Sequence, residues 1–282
     1  MRENKKRNLF VRFCSACLFL LAMGACGDHD ISVDPNERKF GLFLGLNAED
    51  AHKMQGYELV VLEGQEFSAE DIRMLHDAGQ RVYSYLNIGS VEEYRDYFQR
   101  YKHLALGVYE NWEDERWVNV ADPLWQKFMI DTLAADLIEK GVDGFFLDNA
   151  DVYYEFPQEA IYQGLMAITK GLGKYNKTLM INGGDQFVLR LLDEPNGNKI
   201  IQAVNQETVF TAINFEKETY GRQNPEDKDY YQEYIETCAE KGLNVYLTEY
   251  GANADLQKEI KTYCTQHGFL YYIAPTLELT GY

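Results

Sequence analysis

Thiols, histidines and cationic side chains are scarce in this chain, and each scarcity closes off a class of function. There are five cysteines and five histidines in 282 residues. No C-x-x-C pair stands beyond residue 26, so a thiolate zinc site has no support. His29, His52, His76, His103 and His267 are scattered, and none ends a strand-like apolar run, so neither a histidine triad nor a metal site is expected. No G-x-S-x-G is present, and no glycine-rich dinucleotide fingerprint follows the first apolar run. The segment GLGKYNKT at 171–178 has the wrong spacing for a phosphate loop and reads as the end of a helix. No cofactor is implied. Lys and Arg number 27 against 45 Asp and Glu, a balance that repels nucleic acid and anionic polysaccharide. Beyond the first 25 residues no stretch approaches the ~18 apolar residues that span a bilayer.

The first residues differ from the rest. Arg2, Lys5, Lys6, Arg7 and Arg12 form a basic region ahead of the apolar residues 13–25. The tetrad Met23-Gly24-Ala25-Cys26 resembles a bacterial lipobox. Residues 1–25 therefore read as a lipoprotein signal peptide, Cys26 as the lipidation site, 26–38 as a polar tether and 39–282 as one domain. The expected location is the bacterial cell envelope, with a lipid anchor holding the protein to a membrane. Without residues 1–25 the chain keeps 22 Lys+Arg against 44 Asp+Glu, a net charge of −22 suited to cationic ligands or to solubility alone. Cys238 and Cys264 then remain, bonded or free.

From residue 39 short apolar runs alternate with helical stretches. Strands are expected at 40–46, 58–63, 81–88, 143–148, 178–182, 203–208, 244–250 and 269–274, with a ninth at 117–120 outside the main sheet. Ser68 and Asp71 read as a capping box, with Gly79 at the helix end. Asp122-Pro123 opens a helix that Gly141 closes, and further helices are expected at 91–104, 157–171, 226–241 and 254–266. Eight strands alternating with helices in roughly 240 residues predict an α/β fold, a single-domain (β/α)8 TIM barrel.

In such a barrel the active site lies at the C-terminal strand ends. There stand Glu63, Asn87, Asp148-Asn149 with Asp151 beyond, Asn182, Glu207 and Glu249-Tyr250. A carboxylate ending a buried strand loses hydration and must be paired, hydrogen-bonded or functional. Glycoside hydrolysis needs one protonated and one ionised carboxyl group, an asymmetry that crowding of like charges produces. Tyr83, Tyr85, Trp112, Tyr153, Tyr154 and Tyr250 are candidates to stack on sugar rings.

The segments ERWVNVADPLW (115–125), GVDGFFLDNADVY (141–153), INGGD (181–185), VNQETVF (204–210) and LTEYG (247–251) together resemble glycoside hydrolase family 114, the endo-α-1,4-polygalactosaminidase group. The block Asp148, Asn149, Asp151, Tyr153 is the most specific part. The resemblance implies Asp148 and Glu207 as the catalytic pair, Asp148 as nucleophile or base and Glu207 as acid, with the reverse left open. It also implies a cleft lined by Tyr85, Asp151, Asn182 and Glu249. Asn149, Tyr153, Tyr250 and Trp112 complete the candidate substrate-binding set. The implied substrate is a galactosamine or N-acetylgalactosamine polymer, cationic where deacetylated. A glycan-binding barrel without turnover and a hydrolase of another α-linked glycan are the alternatives. Strand six reads Asn-Gln-Glu where the family has Asn-Glu, which bears on which face Glu207 takes.

Overall fold

A computed structural model describes residues 38–110 and 112–281. The expected signal peptide, Cys26 and nearly all of the expected tether lie outside the described residues. Thirteen strands occur within them: β1 (Phe40–Phe43), β2 (Leu59–Leu62), β3 (Arg81–Asn87), β4 (Ser90–Glu92), β5 (Ala105–Tyr109), β6 (Trp112–Val118), β7 (Gly144–Asp148), β8 (Thr178–Asn182), β9 (Ala203–Glu207), β10 (Thr211–Asn214), β11 (Thr219–Arg222), β12 (Asn244–Tyr250) and β13 (Leu270–Ala274). Eight of them pair in parallel in the order β1-β2-β3-β7-β8-β9-β12-β13, and β13 packs back against β1. This is a nearly closed (β/α)8 barrel, as expected from the alternation of runs.

The local chemistry of the helix ends is also as read. Ser68 and Asp71 cap each other's backbone N–H groups at the start of Ala69–Asp77. Asp122 accepts from the Leu124 N–H ahead of Pro123–Phe128, and Gly141 ends Ala134–Lys140 in the left-handed conformation. A wider π-type turn at Met129–Leu133 joins those two segments into one rod. The helices Glu159–Leu172, Pro225–Glu240 and Ala254–His267 fall where they were expected. Cys238 and Cys264 are buried free thiols.

Two insertions depart from the expected pattern. Residues 91–104 do not form a continuous helix. Ser90–Glu92 instead pairs antiparallel with Glu115–Trp117, leaving only short helical turns at Phe98–Tyr101 and Lys102–Leu104. The expected ninth strand at 117–120 lies earlier, at Trp112–Val118, as the centre of a three-stranded sheet. Local helical propensity yields here to a buried ion pair: Arg95 sits between Glu92 and Glu63, tying the insertion to the end of β2. A hairpin of β10 and β11, and the helix Asp185–Asp193, were not expected from the sequence.

Strand alternation decides which side chains face the barrel axis. Tyr83 and Tyr85 of β3, Phe146 of β7, Met180 of β8, Ala203 of β9 and Tyr246 of β12 belong to one buried cluster. Phe145, Leu147, Leu179, Ile181 and Val204 belong to a second, which the outer helices cover. The inward parity therefore continues upward to Asn87, Asp148, Asn182, Asn205, Glu207, Thr248 and Tyr250. The insertion returns to the barrel wall through Val120 and Ala121, which lie against Gly164 of the helix Glu159–Leu172. A Cβ there would stand 2.4 Å from the Val120 carbonyl oxygen. Gly164→Ala is expected to lower unfolding free energy by about 1–3 kcal/mol through overpacking. Urea titration checks this; an unchanged midpoint would contradict so tight a contact.

Candidate active site

Asn182, at the end of β8, is the hub of the site. Its amide nitrogen donates to Asp148 Oδ1 at 2.9 Å and to Glu207 Oε1 at 2.7 Å. Two oxygens bound to one nitrogen can lie no farther apart than the two bonds end to end, about 5.6 Å. Asp148, Asn182 and Glu207 are each half-buried, so the pair is reachable from the open end of the barrel. The Tyr250 hydroxyl donates to Glu207 Oε2 in a short hydrogen bond. Gln206 occupies the outward position between Asn205 and Glu207, so both of these face inward. The extra residue in β9 thus leaves Glu207 on the inner face, where Asn205 Nδ2 also donates to Asn182 Oδ1 at 2.7 Å.

Burial raises the pKa of both carboxyls. Desolvation lifts Asp148 to about 6, hydrogen bonds from Asn182 and Tyr85 oppose the rise, and the charge of Glu207 adds to it. Glu207 is raised by burial, against the hydrogen bonds from Tyr250 and Asn182. Both groups therefore titrate above ordinary carboxylates.

Around this pair the structure sorts the remaining candidates. Asp151 accepts from the Gly184 N–H at 3.2 Å on each oxygen, and burial with the nearby charge of Asp148 raises it to about 7. Gly183 and Gly184 both have positive φ, 58° and 62°, a geometry glycine adopts without strain. Asn149, itself left-handed with φ 64°, donates to Asn87, Ser90 and Glu115 at 3.0, 2.7 and 2.8 Å, and so faces the insertion. Tyr85 is buried beside Asp148. The Tyr153 hydroxyl accepts from Arg190 at 2.8 Å. Trp112, 43% exposed, lies on the insertion strand β6, and Tyr154, 64% exposed, on the short helix after β7. Tyr83 is buried in the barrel interior.

Glu249 is a correction. It does not line the cleft: neighbouring residues of a strand cannot both face inward, and Tyr250 takes that side. Glu249 is fully buried and accepts from the Phe210 and Thr211 N–H groups at 2.9 and 2.8 Å and from the Thr211 hydroxyl at 2.6 Å. It pins the segment that leads into β10 and β11, whose Tyr220 stacks on Tyr250 with ring centres 6.4 Å apart. Glu63 is likewise committed, to Arg95 at 2.6 Å.

Two groups escaped the sequence reading. Glu115 of β6 accepts from Asn87 and Asn149 at 2.9 and 2.8 Å, and from Ser90, all on one oxygen. Burial and the charge of Glu92 raise it to about 7. Tyr109 of β5 stacks on Trp117, and its hydroxyl feels Asp148, Asp151, Glu115 and Glu207 together. Both come from the insertion, whose docking no local pattern announced. A hollow of about 540 Å³ bounded by Gln65, Leu133, Asp136 and Lys140 lies on the outer helical layer and holds none of these groups. Among the described residues no group of three or more His, Cys, Asp and Glu side chains is arranged to hold a metal ion.

Paired carboxyl groups at the C-terminal strand ends of a parallel barrel are the arrangement that glycoside hydrolysis requires. The sequence matches the model of glycoside-hydrolase family GH114 over residues 28–278, and the chain belongs to that family. Among solved structures it resembles the glycoside hydrolase domain of PelA from Pseudomonas aeruginosa, with a TM-score of 0.70 and 17% identity over 86% of this chain and 96% of that one. It also resembles Aspergillus fumigatus Ega3 in complex with galactosamine, with a TM-score of 0.69 and 16% identity over 88% and 94%. An uncharacterized protein of Thermotoga maritima is 26% identical over 136 residues, 41% of this chain and 39% of that protein.

The raised carboxyls set the sign of the pH dependence of stability. Asp151, Glu115 and Glu249 bind protons up to about 7 when folded, but only to ordinary carboxylate values when unfolded. The native state then holds more protons between those limits, so stability is greatest below the unfolded pKa and falls as pH rises through the folded values. The melting temperature is expected to be higher at pH 5 than at pH 8. Glu115→Gln, which keeps an oxygen for the three donors, is expected to shrink that difference. Scanning calorimetry at the two pH values checks this, and a melting temperature that climbs from pH 5 to 8 would contradict it.

Proposed function

We propose that this protein is an exported hydrolase that cleaves α-1,4-linked galactosamine or N-acetylgalactosamine polymers internally, with Asp148 and Glu207 as the catalytic carboxyls. The observation that carries this reading is the single amide nitrogen of Asn182 shared by the two groups. It keeps them close enough to flank one glycosidic bond. A limit of about 5.6 Å between the facing oxygens accords with the ~5–5.5 Å of retaining enzymes and not with the ~6.5–9.5 Å of inverting ones.

In the retaining route Glu207 gives its proton to the glycosidic oxygen as an Asp148 oxygen bonds to the anomeric carbon. The bond from that carbon to the leaving oxygen breaks, and a glycosyl ester remains. Water then gives a proton to Glu207 and adds to the anomeric carbon, releasing ionised Asp148. Hydrogen bonding supports this division of roles: Asn182, Tyr85 and the Asn149 backbone favour the charged form of Asp148, whereas Glu207 has Asn182 and Tyr250. The substrate class is supported by family membership, by the galactosamine bound in the related Ega3 structure, and by the net charge of −22 beyond residue 25, which suits a cationic polymer.

Asp148→Asn and Glu207→Gln are each expected to lower polymer cleavage roughly 10³-fold with the fold intact. Release of reducing ends from partly deacetylated and acetylated galactosamine polymers, beside neutral α-glucans, measures it. Near-full activity in either variant would discard the pair. Activity on a neutral glycan alone would discard the substrate, and binding without products would make the chain a glycan-binding barrel. Export with a lipid anchor at Cys26 rests on the basic and apolar leader and the Met23–Cys26 tetrad. Cys26→Ser is expected to move the protein from the membrane to the soluble fraction; unchanged membrane partition would remove the anchor.

A further inference from the structure

Asn182 can hold both carboxylates only if its nitrogen, and not its oxygen, faces them, and its side chain alone has no means of choosing. The choice is made two residues away. Asn205 Nδ2 donates to Asn182 Oδ1 at 2.7 Å, and the Thr248 hydroxyl donates to Asn205 Oδ1 at 3.0 Å. Asn205 and Thr248 are both fully buried, one on β9 and the other on β12. Asp148, ionised in its role as nucleophile, accepts and never donates, so the Asn182 nitrogen must point at it. Its oxygen must then receive the Asn205 nitrogen, and the Asn205 oxygen must receive a donor. Thr248 supplies that donor, and no other is seen on this oxygen among the described residues.

We propose that Thr248, acting through Asn205, is a positioning residue that holds the Asn182 amide in the orientation the carboxyl pair requires. The inference rests on the proposed roles of Asp148 and Glu207. Without the hydroxyl, the buried Asn205 oxygen has no donor, and the hydrogen bond that opposes rotation of the two amides is gone. Such rotation would present the Asn182 oxygen to the two carboxyls. They would lose a donor to their charged forms, and both would titrate higher. The other titratable groups facing the pair are Tyr85, Tyr109, Glu115, Asp151 and Tyr250, and none of them is bonded to Thr248.

The test compares Thr248→Val, which keeps shape and removes the hydroxyl, with Thr248→Ser, which keeps the hydroxyl. Thr248→Val is expected to lower kcat about tenfold with KM within about twofold. The acid limb of kcat/KM is expected to move up by about half a pH unit or more. Thr248→Ser is expected to restore the wild-type profile. Carbon-13 carboxyl titration of Asp148 and Glu207 by NMR reads the same shift without substrate, so it stands even if the wild-type protein cleaves none of the polymers above. Wild-type carboxyl titration in folded Thr248→Val would overturn the inference, as would an equal disturbance in Thr248→Ser, which would assign the effect to packing of the methyl group. Should valine prevent folding, Thr248→Ala removes the hydroxyl without added bulk and is held to the same outcomes.

Discussion

Two carboxyl groups at the rim of a nearly closed parallel barrel have surrendered much of their water, and their charge is tolerable only where the protein returns hydrogen bonds. In this chain that return is concentrated in one side chain. The Asn182 nitrogen reaches Asp148 on one side and Glu207 on the other, and so neutral amide dipoles, without any cation, hold the pair together. A lysine or arginine there would depress both carboxyl pKa values strongly. An amide leaves Asp148 at about 6, within reach of protonation near neutral pH.

The same economy of charge runs through the surrounding shell. Arg95 is the cation buried among the acids of the β2 side, and it is spent on Glu63 and Glu92, fastening the insertion to the barrel. Once fastened, the insertion supplies Ser90 and Glu115 to fix Asn149, the residue after Asp148. On the opposite flank, Glu249 accepts three hydrogen bonds from the segment after β9 and so steadies the hairpin whose Tyr220 lies over Tyr250. Carboxylates thus serve two ends: those facing inward form the candidate site, and those facing outward or sideways hold the loops that border it.

Much of this was legible in the residues. The eight apolar runs, the Ser68–Asp71 box, Asp122-Pro123 and Gly141 each carry their conformation locally, through hydrogen-bonding capacity, a fixed φ or the lack of a Cβ. Asp148 and Glu207 were visible as acids ending apolar runs. Glu115 and Tyr109 were not, because they belong to an insertion, expected as a helix at 91–104, whose strands dock on the barrel through contacts such as Arg95 between Glu63 and Glu92. Glu249 and Tyr250 were read together, although strand alternation allows only one of them to face the axis.

By itself, then, the amino-acid order determined the periodic elements, their caps and the acids standing at their ends, since those depend on neighbours within a few residues. The barrel decided the rest. Which acids share one amide, which way that amide points, and which carboxyl turns outward to pin a loop are set by contacts between strands 25 to 43 residues apart, as Glu207 to Asn182 and Thr248 to Asn205 show. Such contacts exist only once the sheet has closed, because pairing register, not proximity along the chain, brings those side chains to the same height on the same face.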